Sequence, residues 1–141
     1  MNQNQTLLLS LFALQGQLTK KLERRLSLHG LSFTELQVML HLAQAPQQSL
    51  RRIDLAELAG LSASGVTRLL LPMEKLHLVE REANPRDARV SLVKLSEAGA
   101  ERLTEAMATF ELAADELLAP LAPAQQAQLQ ALTERLLQGT N

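Results

Sequence analysis

The residues of this chain best suited to chemistry lie in the segment Asp54-Leu-Ala-Glu-Leu-Ala-Gly-Leu-Ser-Ala-Ser-Gly-Val-Thr-Arg68. Ala56 is small where two helices would cross, Gly60 can take the positive φ of a tight turn, and Val66 can seal a second helix against the first. Leu55, Ala59, Leu61 and Leu69 complete a small core around that turn. Ser62 is a natural N-cap for the second helix. With Val66, Leu69 and Leu70 turned inward, the outward face carries Ala63, Ser64, Thr67 and Arg68. Small hydroxyl side chains let a helix sink into a major groove and bond phosphates. Gly65 permits close approach, and Arg68 can reach a guanine edge or a phosphate. An ordinary helical hairpin with a solvated face shares this pattern.

The following residues narrow the choice. Leu78-Val-Glu-Arg-Glu82 and Arg89-Val-Ser-Leu-Val-Lys-Leu95 read as strands, and the turn formers of Ala83-Asn-Pro-Arg-Asp-Ala88 join them. Helix, turn, helix and hairpin together describe a winged helix. Arg86 and Arg89 fall at the hairpin tip, where arginine can enter a narrow minor groove with its deepened negative potential. Asp87, two residues from Arg89, can fix that guanidinium by a charge-assisted hydrogen bond.

Long helices must carry this module. Apolar residues at Leu7, Leu11, Leu14, Leu18, Leu22 and Leu26 recur every three or four positions between Thr6 and His29, with Gly30 at the expected stop. Ser32 and Glu35 form a capping-box signature for a second helix that ends near Ala45, before Pro46. Residues 46–50 read as a turn and Leu50–Ile53 as a short strand, with Asp54 as candidate N-cap of a third helix running to Ala59. Ser96 opens another long stripe through Leu103, Met107, Phe110, Ala114 and Leu117. Pro123 suits the first turn of a final helix bearing Leu129, Leu132 and Leu136. One chain of 141 residues cannot easily cover three such stripes at opposite ends of the sequence, so they are expected to meet those of a second copy.

Composition agrees with a mainly helical protein: 46% of residues are hydrophobic, dominated by Leu and Ala, and only 2% are aromatic. The absence of Cys excludes disulfides, thiolate metal sites and thiol switches. His29, His41 and His77 are scattered without the spacing of a local metal site, so neither a metal nor a cofactor is expected; carboxylates joining His41 would be the zinc alternative. Paired carboxylates, a nucleophile with its base, and a phosphate loop are not evident, which argues against an enzyme. No basic residue precedes the apolar run Leu7–Leu14, and no run reaches membrane-span length. A cytoplasmic chain without membrane contact is expected. Net charge is -1, but residues 1–95 carry 12 Lys and Arg against 8 Asp and Glu, and residues 96–141 carry 2 against 7. A polyanion should therefore meet the first part rather than the last.

In these motifs the chain resembles the MarR family of bacterial regulators. The resemblance rests on Asp54–Ser62, Ser64–Arg68, Leu78–Arg81, the Asp87-Ala-Arg89 wing and Leu95-Ser-Glu-Ala-Gly99. It implies one unit over residues 1–141, mainly α with a small β-hairpin wing. A winged helix-turn-helix over 31–95 would bind double-stranded DNA, and helical regions 1–30 and 96–141 would form a homodimer. It also implies a palindromic operator, repression, and release by a small-molecule effector; no effector residues can be assigned from the sequence. Ser62, Ser64, Gly65, Thr67, Arg68, Arg86, Asp87 and Arg89 are the DNA-binding candidates. Two residues depart from the family pattern. Pro72 inside the recognition helix is expected to kink or end it. His77 stands where a helix-ending Gly is usual, and a local adjustment is expected there.

Overall fold

Asn2 starts the first helix. Its side chain accepts from the Gln5 amide at 2.8 Å, and the Gln5 side chain accepts from the Asn2 amide at 2.8 Å. These reciprocal bonds satisfy two of the amide donors that a helix start leaves open. In the computed structural model, which describes residues 1–140, helix α1 runs over Gln3–Leu26. It begins three residues before the expected start, and its expected last turn is a separate 3-10 turn over Ser27–His29, closed by Gly30 at φ 68°. Helix α2, Phe33–Gln44, carries the Ser32–Glu35 capping box and ends before Pro46.

Pro46–Gln48 form a short 3-10 turn in which Gln47 and Gln48 both have positive φ, and strand β1 follows over Ser49–Arg51. Helix α3 then occupies Arg52–Ala59, so Arg52 and Ile53 are helical rather than extended. Asp54 is not its N-cap, because Arg51 occupies that position. The Asp54 carboxylate instead receives two bonds from the Arg51 guanidinium, Nε at 2.7 Å and Nη2 at 2.9 Å. A charge-assisted, two-pronged bond of this kind outcompetes a neutral backbone amide. Gly60 ends α3 in the left-handed conformation, φ 67°, and the Leu61 amide closes the turn on the Ala56 carbonyl at 2.9 Å.

Helix α4 spans Ala63–Lys75 and continues through Pro72, which therefore does not end it. The proline removes one amide donor, yet the Leu76 amide still reaches the Pro72 carbonyl at 3.0 Å and the last turn forms. His77 follows in the left-handed region at φ 58°. Strands β2, Val79–Ala83, and β3, Ser91–Leu95, pair antiparallel from Val79 opposite Leu95 to Ala83 opposite Ser91. Strand β1 joins the far side of β3, giving a three-stranded sheet in the order β1-β3-β2.

Helix α5, Glu97–Leu118, lies against α1 and α2, and helix α6, Pro123–Gly139, completes the described chain. The core is one cluster that joins all but α6: Leu22 and Leu26 from α1, Leu36, Val38, Met39 and Leu42 from α2, Leu55 from α3, and Val66, Leu70 and Met73 from α4. Val79, Val93 and Leu95 of the sheet, Leu103, Ala106 and Ala113 of α5, and Leu31 and Leu78 from the connections complete it. Each fully buried leucine contributes about 1.5–3 kcal/mol. By contrast α6 buries no residue, and the first half of α1 leaves Leu7, Leu8, Leu11 and Phe12 exposed.

The wing returns to the helices at one tight junction. The Ser96 amide bonds the Leu78 carbonyl at 3.1 Å, the Ser96 hydroxyl donates to the His77 carbonyl at 2.5 Å, and the same hydroxyl caps α5 by accepting from the Gly99 amide at 2.9 Å. A Cβ at position 99 would lie 2.0 Å from the Leu78 carbonyl oxygen, which is backbone and cannot step aside. This is the physical demand behind Leu95-Ser-Glu-Ala-Gly99. Gly99→Ala is expected to destabilise the fold by about 1–3 kcal/mol or more through overpacking, read from the midpoint of urea unfolding. An unchanged midpoint would show that the junction is looser than described.

Candidate nucleic-acid interface

The side chain of Ser62 starts α4. Its Oγ accepts from the Gly65 amide at 3.1 Å and lies 3.2 Å from the Ser64 Oγ. Gly65 is half-buried, and a Cβ there would meet the Ser62 Oγ at 3.2 Å and the Leu61 Cβ at 3.7 Å. A side chain there would crowd the Ser62 cap as well as the outward face. Val66 and Leu70 are buried and Leu69 is partly buried against α3, so the polar face of α4 points away from the core. Ala63, Ser64, Thr67 and Arg68 are all exposed on that face. Among the described residues nothing engages the Arg68 guanidinium.

Two groups on this face escaped sequence reasoning. Leu71, 48% exposed, lies one turn beyond Ser64 through Arg68 and extends the outward stripe. Its position is legible in the helical spacing, but an apolar side chain does not by itself mark a binding face. Arg52, at the start of α3, donates through Nη2 to the Thr67 hydroxyl at 2.9 Å. Its Nη1 also stands 3.9 Å from the Glu74 carboxylate, which in turn is 3.7 Å from Arg81 of β2. A chain of charges thus links α3, α4 and the wing. No local sequence signal marks a contact across fifteen residues.

The wing tip, residues 84–90, is shaped by two side chains that imitate turns. The Asn84 Oδ1 accepts from the Arg86 amide at 2.9 Å and the Asp87 Oδ1 from the Arg89 amide at 3.0 Å. Asp87 also receives the Arg89 guanidinium, Nε on Oδ1 at 3.1 Å and Nη2 on Oδ2 at 3.3 Å. The Arg89 side chain is 89% exposed, so the carboxylate holds a cation in solvent with its direction restricted. Arg86 is exposed at the same tip. The candidates therefore form two groups, Ser62 to Arg68 on α4 and Arg86 to Arg89 on the wing. They share a module in which α4 packs on β2.

The side-chain bond from Arg89, with its amide second, holds the Asp87 carboxyl below the usual aspartate range. Arg51 does the same for Asp54, principally through its side-chain bond. Among the described residues, no three His, Cys, Asp or Glu side chains stand together as a metal site. His29 instead bonds the Thr109 hydroxyl through Nε2 at 2.6 Å. No helix among them is long and apolar enough to cross a membrane.

A second feature lies outside the module. An apolar groove of 390 Å³ runs between α1 and α5, lined by Leu14, Leu18, Leu22, Phe110 and Leu117 and by Phe33 at the start of α2.

The model of the MarR family matches residues 29–90. An uncharacterised helix-turn-helix transcriptional regulator of Bacillus subtilis, YdgJ, is 31% identical over 90 residues, covering 64% of this chain; the match spans about half the length of that relative. Among solved structures, Sco3205 of Streptomyces coelicolor, a MarR family regulator crystallised with DNA, superposes with a TM-score of 0.89 at 24% identity, over 100% of this chain and 94% of its own. AbsC of the same organism gives 0.88 at 22% identity, over 99% and 96%. A mutant MarR of E. coli bound to operator DNA gives 0.82 at 23% identity, over 90% of each chain.

Because a depressed carboxyl pKa stabilises the bonded form above the unfolded value, the Asp87–Arg89 link is present at neutral pH. It is lost only as pH falls through the lowered folded value. A carbon-detected NMR titration is expected to find Asp87 titrating below a free aspartate, and Arg89→Ala to return it to the ordinary range. Equal midpoints in the two proteins would mean that the link does not persist in solution.

Proposed function

We propose that the chain is a MarR family transcriptional regulator, which binds double-stranded operator DNA as a homodimer and represses transcription until a small ligand releases it. It is a regulator and not an enzyme. The observation that carries the reading is the exposed polar face of α4, with Ser64, Thr67 and the unengaged Arg68, on the same module as a wing whose Arg89 is held in solvent by Asp87. In this reading residues 31–95 are the DNA-binding part. Ser64, Thr67 and Arg68 meet base edges, Ser62 orients α4 and bonds phosphate, and Gly65 permits close approach of the backbone. Arg86 and Arg89 approach the backbone or minor groove.

Residues 1–30 and 96–141 are the dimerisation part. The exposed stripe of α1 and the exposed Leu129, Leu132, Leu136 and Leu137 of α6 are apolar surfaces that a second copy would cover. The groove between α1 and α5 supports the ligand step, because Phe33, which lines it, begins α2, and α2 packs on α3 of the reading module. An apolar ligand seated there would press on the element that supports the helix-turn-helix.

Light scattering at micromolar concentration is expected to give twice the 15.5 kDa chain mass; a monomer defeats the dimer. Genomic fragments selected by the purified protein are expected to share an inverted repeat with half-sites about 10 base pairs apart centre to centre. On the selected site, log affinity should fall linearly with log salt, by about 0.9 for each phosphate contact. Arg68→Ala should weaken binding by about 1–3 kcal/mol and relax one base preference if its contact is to a base. Arg89→Ala should weaken binding with little change in melting temperature, since an exposed pair contributes about 0–1 kcal/mol. A protein that selects no fragments at any salt concentration grips protein partners instead.

A further inference from the structure

The Thr67 hydroxyl is turned into the protein. It donates to the Ala63 carbonyl at 3.2 Å and accepts from Arg52 Nη2 at 2.9 Å. A hydroxyl has one proton and two lone pairs, so the proton and one lone pair are already used. Arg52 is itself restrained: its side chain is only 27% exposed and stands beside Glu74, which Arg81 approaches from the wing. A charge-assisted bond from a restrained guanidinium is harder to displace than a bond to water. Thr67 is nonetheless exposed on the outward face of α4. The hydroxyl and methyl of a threonine occupy different staggered positions on Cβ. With the hydroxyl held toward α3 and its own helix, the methyl is left as the group to meet an incoming surface.

We propose that Arg52, which lies outside the recognition helix, is a specificity-determining residue: by holding the Thr67 hydroxyl it makes Thr67 read DNA with its methyl group, against the 5-methyl of a thymine. This rests on the DNA-binding reading above. Thymine is the one base that offers an apolar group in the major groove, and threonine methyl contact with it is a recognised form of readout. Leu71, exposed one turn further along the same stripe, gives the face a second apolar contact of the same kind. Arg52 acts through Thr67 and is a positioning residue.

The test uses the full-length protein and the operator selected with it. Each thymidine of the operator is replaced in turn by deoxyuridine, which removes only the 5-methyl group. One position is expected to lose about fourfold in affinity, the value of one buried methyl group. Thr67→Ser, which keeps the hydroxyl and lacks the methyl, should no longer distinguish thymidine from deoxyuridine there. Thr67→Val, which keeps a methyl and lacks the hydroxyl, should still do so. Arg52→Gln should broaden the base preference at that position while leaving the salt slope unchanged.

The inference is overturned if every deoxyuridine is neutral, or if Thr67→Val loses the discrimination as Thr67→Ser does. A salt slope lowered by about one in Arg52→Gln would make Arg52 a phosphate contact and overturn its positioning role. If Arg52→Gln does not fold, the serine and valine variants still decide how Thr67 reads. Failure of the wild-type protein to select any sequence would instead defeat the DNA-binding reading itself.

Discussion

The Leu78 carbonyl is the point on which the rest of the fold depends. It receives the Ser96 amide, it lies where any side chain at position 99 would have to pass, and it directly follows His77, whose carbonyl takes the Ser96 hydroxyl. The end of α4, both ends of the wing and the start of α5 therefore meet within a few residues. Such a junction admits little sliding, because its partners are backbone atoms and a capped helix start. A shift of α5 relative to the core must carry the wing base and the end of α4 with it. The positive φ of His77 belongs to the same constraint, since the chain has to leave α4 and enter β2 without a glycine.

Much of this was legible because it is local. The Ser32–Glu35 box, the Gly60 turn, the Ser62 cap and the Ser96 cap each involve residues within four positions of one another, and each forms as its residue types require. The features that were misread are those in which two local rules compete. Asp54 has the character of an N-cap, but Arg51 three residues earlier captures its carboxylate and the helix begins before it. Pro72 breaks one hydrogen bond, but Leu70 and Met73 on either side are fully buried, and their packing carries the helix past it. The turn after Ala45 was legible from Pro46, although Gln47 and Gln48 take its positive φ where neither Gly nor Asn marks the bend. Other features were invisible because they are long-range: Arg52 reaches Thr67 and Glu74 only once α3 and α4 have packed.

The candidate interface combines two kinds of cation. Arg68 is free to choose a partner, whereas Arg89 is held by the Asp87 carboxylate, Arg52 by the Thr67 hydroxyl, and Arg52 and Arg81 both stand near the Glu74 carboxylate. A held arginine is already ordered before any partner arrives and forfeits less rotamer freedom on contact. Glu74 and Asp87 therefore organise the positive charge around them, and their own negative charge need not oppose a polyanion that meets the guanidinium side. The uneven distribution of charge along the sequence has the same sense, with the acidic excess confined to α5, α6 and their flanks.

Helix α6 has a different status from the other five α-helices. Seventeen residues long and without one buried side chain, it draws almost no burial energy from its own chain. In proteins most of a helix's stability comes from packing of its apolar face rather than from propensity. In the proposed dimer, its order is supplied by association and follows mass action, so the folded fraction of this segment rises and falls with the amount of protein present. Dilution would then do to α6 what heat does to the core. A regulator built in this way is most exposed to proteolysis when it is scarce, and its abundance and its lifetime are coupled through a single helix.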